Sequence, residues 1–422
     1  MPAVKSPRTP LVLALGAALF AAAPPAPAAP GPGPAPVPVP SPLPAPDVIT
    51  GGPPEFTQRT QEAVKNGLEY LRRTQRQDGA WEGNVGFKIN ESYQVDVANA
   101  RDPGITALAG TAMLAGGHLP GRGPYGGSLN RAVDYVLSCV GTKGYISENG
   151  TRMYSHAFAA LFLAEVYGSS LDREKNEVVR QKLGRAVQFI LEAQNDQGGW
   201  RYESNAADSD MSVTVCQVMA LRAARNKGIP VPQKAIDAAL KYVLESAVTR
   251  TTRGWGGFRD GDMRRGAFLY QYRERNPIGT RASLALTGAG MTSLFGAGLY
   301  DDAAILAWAK DHGIQRYAKG GERPPTIAEM SQYILDEYGE HARSYPRHFF
   351  YFYGHYYACQ AMYIAGGKAW QQYYPLVRDH LVRSQDPDGS WEVDGVGRNF
   401  GTAAACVILQ VPCRFLPVLD QR

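Results

Sequence analysis

The chain has 422 residues, 44% of them hydrophobic and 20% charged, with a formal charge of +5. That composition holds ample material for one large core, so the length does not by itself demand several domains. No basic run of five or more residues occurs, so a nucleic-acid partner is not indicated. At the N-terminus, Lys5 and Arg8 precede an apolar stretch from Leu11 to Ala23, and Ala26-Pro27-Ala28 offers small residues for cleavage. Residues 1–28 therefore read as a signal peptide, with a retained anchor as the alternative. The apolar stretch is shorter than the about 20 residues a spanning helix needs. The expectation is an exported protein, periplasmic or extracellular, with no integral span after cleavage. Residues 29–54 alternate Pro with Ala, Val and Gly and read as a semi-rigid extended linker.

From residue 55 to 422 the chain reads as one helical domain built on an internal repeat. Its first copy is Tyr70-Leu71-Arg72-Arg73-Thr74-Gln75-Arg76-Gln77-Asp78-Gly79-Ala80-Trp81, and Gln194-Gly198-Trp200 and Gln385-Gly389-Trp391 repeat it at identical spacing. Two weaker copies end in Gly144-Tyr145 and Gly254-Trp255. An amphipathic helix runs into each copy, as Ala63, Val64, Gly67, Leu68 and Leu71 illustrate. The Gly ends that helix, the Gln amide is free to bond exposed backbone groups, and the Trp buries its face while its N–H seeks a partner. A second helix, apolar all round, follows each motif: Ile105 to Ala115, His156 to Val166, Val213 to Ala223, Ala282 to Ala297, Tyr356 to Ala365 and Thr402 to Leu409. Amphipathic helices outside and apolar helices inside predict two concentric layers of about twelve helices, and closing the ring removes exposed ends.

The Gln-x3-Gly-x-Trp copies resemble the repeats of squalene–hopene cyclases, oxidosqualene cyclases and protein prenyltransferase β subunits, over roughly residues 60 to 412. The resemblance implies an all-α (α/α)6 toroid with a central cavity entered where the inner helices start. It also implies a cyclase acid segment, Asp-x-Asp-Asp-Thr, at the start of an inner helix after a Gly-Gly-Trp. Here that segment reads Asp210-Met211-Ser212-Val213-Thr214, with Ser212 where the proton donor belongs; a shifted match brings in Asp208-Ser209-Asp210. The plain alternative for the Asp pair is an N-cap. Prenyltransferases hold zinc through Asp-x-Cys and a distant His. His355 and Cys359 echo only the His-bearing helix, and no Asp-x-Cys occurs, so no metal is expected. Asp301-Asp302 lacks the third carboxylate of a magnesium–diphosphate site and reads as a helix start.

Two further features bear on a site. Tyr345 to Tyr357 gathers Phe349, Phe350, Tyr351, Phe352, Tyr353, Tyr356 and Tyr357 around His348 and His355, either lining an apolar cavity or packing as an inner helix. Gly254 to Arg265 reads as a rim loop, an anion clamp or a salt-bridged surface. The candidate catalytic residues are thus Asp208, Asp210, His355 and Tyr353, with Tyr202, His156, Phe349, Phe352 and Tyr356 as candidate ligand contacts. Five cysteines, Cys139, Cys216, Cys359, Cys406 and Cys413, do not form a disulfide scaffold, although Cys406 and Cys413 are close enough in sequence to pair. No nucleotide, dinucleotide, Gly-x-Ser-x-Gly, Cys-x-x-Cys or thioester motif appears, and no cofactor is called for. The leading expectation is a toroid binding a hydrophobic, isoprenoid-like small molecule, with catalysis left open. The alternatives are a non-catalytic scaffold on the same ring, or a carbohydrate-active (α/α)6 enzyme using Asp208 and Glu203.

Overall fold

A computed structural model describes residues 53–89, 91–169, 172–251, 264–272, 281–318 and 321–414. The expected leader and most of the linker lie outside these residues. Six helix pairs follow one another: α1 (Gln58–Thr74) with α2 (Pro103–Ala115), α3 (Gly126–Ser138) with α4 (Met153–Val166), and α5 (Arg173–Glu192) with α6 (Met211–Asn226). Then come α7 (Gln233–Glu245) with α8 (Leu284–Gly296), α11 (Ile327–Ser344) with α12 (Phe349–Ala365), and α13 (Gly367–Ser384) with α14 (Arg398–Gln410). The count exceeds the expected twelve because two short helices, α9 (Asp302–Asp311) and α10 (Gln315–Ala318), precede α11. The second member of each pair forms the inner wall. There α2 packs on α4, α4 on α6, α6 on α8, α8 on α12, α12 on α14, and α14 returns to α2. The ring is closed, and the fold is an (α/α)6 toroid.

Side-chain chemistry explains which helix goes where. Every residue of α2 from Pro103 to Ala115 is buried, whereas α1 buries one stripe, including Ala63, Val64, Leu68 and Leu71, and exposes the rest. A helix without a polar face has nowhere to go but the interior.

The repeat turns are the joints between units. Trp81, Trp200 and Trp391 are almost fully buried, and their indole N–H groups donate to the carbonyls of Leu71, Ile190 and Leu381 on the preceding outer helix at 2.8, 2.8 and 2.9 Å. Their backbone N–H groups donate to Thr106, Thr214 and Thr402 hydroxyls on the following inner helix. The Gln amides reach further. Gln75 donates to Ser128 O of α3, Gln194 to Ala235 O of α7, and Gln385 to Ala63 O of α1, each also bonding the carbonyl of its own motif Gly. Each motif therefore staples its own two helices together and hooks the next outer helix; the last copy hooks the first helix. At Gly198, φ is +86° and a Cβ would lie 2.2 Å from Ala238 O on α7, so the turn requires glycine twice over.

Two copies differ from expectation. In the Gly144 copy, Ile146 N–H donates to His156 Nδ1, so His156 takes the place of the joint threonine. The Gly254-Trp255 copy lies outside the described residues, and the joint at that point of the ring is made by Gly266 to Phe268. Gly266 abuts Glu329 of α11, and Phe268 N–H donates to the Thr287 hydroxyl.

One element departs from the all-helical expectation. Between Trp81 and α2 the chain forms an antiparallel hairpin of β1 (Glu82–Ile89) and β2 (Ser92–Arg101).

Candidate functional site

The six inner helices are parallel and start at one end of the ring. Asp102 and Asp210 cap α2 and α6 through their carboxylates, and Ser283 and His348 cap α8 and α12. The hairpin lies across this end. Phe87 stacks under Arg152 at the start of α4, and Lys88 over Tyr270, just before α8, and over Phe350 of α12. Tyr93 meets Phe349 edge-on at 5.8 Å, Glu91 O is 2.6 Å from His348 Nε2, and Asn84 bonds Gly395 and Val396 ahead of α14. The hairpin is thus laid over the mouth from α4 round to α14.

Asp210 is the chemical centre of the mouth. It is fully buried, and Oδ1 accepts from Ser212 Oγ at 2.6 Å and from Val213 N–H at 2.9 Å. Its Oδ2 has no hydrogen-bond partner among the described residues, an unusual condition for a buried carboxylate oxygen. Burial pushes the carboxyl up to about 6, while the bonds from Ser212 and Val213 and the charges of Arg201 and Lys88 keep it from rising further. Ser212 gives its proton to Asp210, so the Tyr154 hydroxyl, 2.5 Å from Ser212 Oγ, donates in turn. Tyr353 reaches across from α12 to donate to Ser212 O at 2.7 Å. Tyr202 and Tyr270 pair through their hydroxyls at 2.5 Å, and the Tyr154 ring packs near both Tyr202 and Tyr353. Tyr154 and Ser212 thus hold Asp210 from one side through hydrogen bonds, and its carboxyl changes charge at about 6.

Just inside the mouth is a narrow apolar crevice. Its lining comes from about the first two turns of four inner helices: Leu108 of α2, Phe158 of α4, Phe352, Tyr353 and Tyr356 of α12, and Phe400 and Ala404 of α14. The rings crowd it until clear space remains for about one water molecule.

The structure brings Asp210 and Tyr353 together through Ser212, with Tyr202 beside them and Phe352 and Tyr356 in the adjoining crevice. Phe349 touches the hairpin. Asp208 is half-exposed at the rim, paired with Arg201 and accepting from Gln271. Glu203 is exposed and paired with Arg152. His355 is elsewhere. It lies on the outer side of α12, where its Nδ1 is 2.6 Å from the Tyr373 hydroxyl and its ring packs on Tyr351 and His341. Burial holds it well below the usual imidazole range, hence neutral. His156 is a joint residue, its Nδ1 accepting from Ile146 and its Nε2 3.3 Å from Ala186 O; burial lowers it to about 3.

No group of three or more metal-ligating side chains occurs among the described residues, and Cys359 lies against Ile408 O. All five cysteines are free, so Cys406 and Cys413 are not paired. Arg264 and Arg265 form a salt-bridged surface with Asp336, Glu337 and Glu329. The residues that sequence reasoning missed at the mouth are Lys88, Asp102, Tyr154, Tyr270 and Arg281. Only Asp102 carried a local signal, the Asp-Pro of a helix start.

No protein-family model and no curated protein matches the chain. Solved structures do. An inactive variant of the GH76A α-1,6-mannanase of Salegentibacter sp. HEL1_6, in complex with α-1,6-mannotriose, aligns with a TM-score of 0.53 at 10% identity, covering 84% of this chain and 99% of that one. Another inactive variant of the same mannanase, bound to α-1,6-mannotetrose, gives 0.52 at 9% identity over 85% and 100%. A variant of the type II terpene cyclase MstE from Scytonema, in complex with geranylgeranyl dihydroxybenzoate, gives 0.47 at 12% identity over 86% and 99%. The mannanase alignments agree with the closed ring of helix pairs; at such identities they speak to fold alone.

Proposed function

We propose that this protein, acting outside the cytoplasm, holds an apolar ligand in the interior of its inner ring, entered beneath the hairpin, with Asp210 as the acid at the mouth. The observation that carries this reading is the unpartnered Oδ2 of a fully buried aspartate that Ser212 and Tyr353 connect to the lining of an aromatic crevice. A buried carboxyl with an open oxygen costs stability and finds its use when a ligand or a proton occupies it. The crevice is wholly side-chain apolar around Phe158, Phe352, Tyr356 and Phe400, which suits a hydrocarbon chain and offers a sugar nothing to bond. The ligand enters when the hairpin lifts and the Phe158 and Phe400 rings turn aside. In the protonated state, Asp210 donates through Oδ2, while Oδ1 stays held by the Ser212 hydroxyl and the Val213 N–H; the proton returns to Oδ2 from solvent once the ligand has left.

Purified protein carried through lipid extraction and native mass spectrometry tests this. It is expected to retain or take up one apolar molecule, with decanol and squalene as added probes. Ala404→Val, which narrows the crevice, is expected to weaken uptake, with circular dichroism melting confirming that the ring still folds. Failure of every probe to bind would overturn the reading.

A second reading, a non-catalytic scaffold, is favoured by one observation: the crevice has clear space for only about one water molecule. It predicts no uptake by the wild type and no effect of Ala404→Val on binding. The carbohydrate-active reading has weaker support. The inactive mannanase variants are altered at two neighbouring aspartates, whereas the Asp301-Asp302 pair of this chain is exposed at the start of the outer helix α9.

A further inference from the structure

The mouth carries two cations that the acid chemistry of Asp210 does not use. Lys88, near the tip of β1, has its Nζ 4.7 Å from the centre of the Phe350 ring and 4.9 Å from that of Tyr270. Arg281, on the chain entering α8, has its guanidinium carbon 5.6 Å from the centres of the same two rings. Among the described residues neither head group has an ion-pair or hydrogen-bond partner. Arg152 and Arg201, at the same end of the ring, are paired with Glu203 and Asp208. Two half-buried like charges side by side repel each other, and desolvation together with Arg281 brings the Lys88 ammonium down to about 8. Asp210 and Glu91 act on Lys88 through space, but neither makes contact. The parallel inner helices add the positive ends of their dipoles at this same face.

We propose that Lys88 and Arg281, held over the Tyr270 and Phe350 rings, form a subsite for the anionic head, a carboxylate or a phosphate, of a ligand whose apolar chain runs into the ring. This rests on the reading above, in which an apolar ligand lies inside the ring along its axis, called the axial reading below. The planar guanidinium supplies two parallel donors to a carboxylate or phosphate, and the ammonium a mobile point charge. The aromatic rings hold both cations before the anion arrives, so little side-chain order is lost on binding. Lys88 belongs to the hairpin and Arg281 to the wall, so an anion between them ties the hairpin shut. Negative charge arriving near Asp210 also disfavours its carboxylate, so the head group keeps that acid protonated.

Calorimetry on the full chain with decyl phosphate, decanoate and decanol tests the subsite. At least one anion is expected to bind tenfold or more tightly than decanol, and comparing the two anions shows which head is taken. Lys88→Met and Arg281→Met are each expected to remove that preference while leaving decanol binding in place, and Lys88→Arg is expected to keep it. Circular dichroism melting confirms that the variants fold. Equal binding of anions and decanol, or a preference that survives both methionine variants, would overturn the subsite and leave the axial reading standing. If no decyl compound binds, the axial reading fails, and inorganic pyrophosphate decides the subsite. Binding that Lys88→Met and Arg281→Met both abolish supports it; no binding overturns it.

Discussion

Asp210 serves the fold as a helix cap and pays no heed to its own solvation: Oδ1 is satisfied by the first turn of α6, Oδ2 by nothing described. Its folded-state value, raised from 3.8 to about 6 by burial, makes stability depend on pH. The folded protein holds the proton more tightly than the unfolded chain. The stabilisation from that proton is therefore complete below pH about 4 and is lost as pH rises through about 6. A shift of this size corresponds to roughly 3 kcal/mol. Asp210→Asn keeps a good cap and abolishes the titration. Urea unfolding of the two proteins is expected to show the variant gaining on the wild type by about that amount between pH 4 and 7.5. His156 and His341, which burial lowers to about 3 and about 4, change stability in the opposite sense on acidification, but they cancel in the difference. A constant gap across the pH range would mean that the carboxyl is not desolvated. Asp210 was legible in the sequence because it stands four residues before Thr214, where a cyclase-like Asp-x-Asp-Asp-Thr segment would follow Gly198-Gly199-Trp200. Lys88 and Arg281 were not, because no periodicity relates a strand residue to a loop residue that only the closed ring brings to the same two aromatic rings. His355 misled for a related reason: on a helix buried all round, spacing does not tell the ring interior from the outer layer.

At the scale of elements, the helices were legible and the hairpin was not. Residues 82–101 separate a motif Trp from its inner helix, where the copies at Trp200 and Trp391 have only a loop, so the repeat gave no reason to expect strands. The pairing is irregular, with register shifts around Val85, and β2 is exposed over most of its length, including Val95 and Val97 at 40% and 42%. Isolated two-stranded hairpins are marginal in water, so this one owes its order to the contacts of Lys88, Glu91, Tyr93 and Asn84 with the mouth. Those contacts are mostly polar, cation–π or edge-on, which suits an element that lifts. Replacing residues 84–99 with a short Gly-Ser loop is expected to leave the helical circular dichroism spectrum intact and to shift the melting point by only a few degrees. It is also expected to raise the binding of a hydrophobic dye by opening the aromatic crevice. Collapse of the helical signal would make the hairpin part of the scaffold and remove it as a cover.

For the whole molecule, closure distinguishes this ring from an open helical array, whose end repeats have one neighbour each and fray first. Here the first and last units are neighbours. Gln385 donates to Ala63 O at 2.8 Å, Arg73 to Asp388 O at 2.9 Å, and α1 lies against both α13 and α14. Gly389 stands at that seam with φ +89°, where a Cβ would come 2.6 Å from Asn66 O on α1. Gly389→Ala therefore strains the backbone in the left-handed region and forces α1 away, at a cost of about 2 kcal/mol or more. Parting the seam would expose the apolar flanks of α2 and α14 together, so no unit can leave without uncovering two others. The strain is accordingly expected to be shared. Native-state hydrogen exchange of Gly389→Ala should lose protection in all six inner helices to a similar extent, within one cooperative transition. Loss confined to α1 and α13, with α4 to α8 as protected as before, would show that the ring behaves energetically as an array bent into a circle. The mouth at the starts of those helices would then be held by local joints such as Gln194 and Trp200, independently of closure.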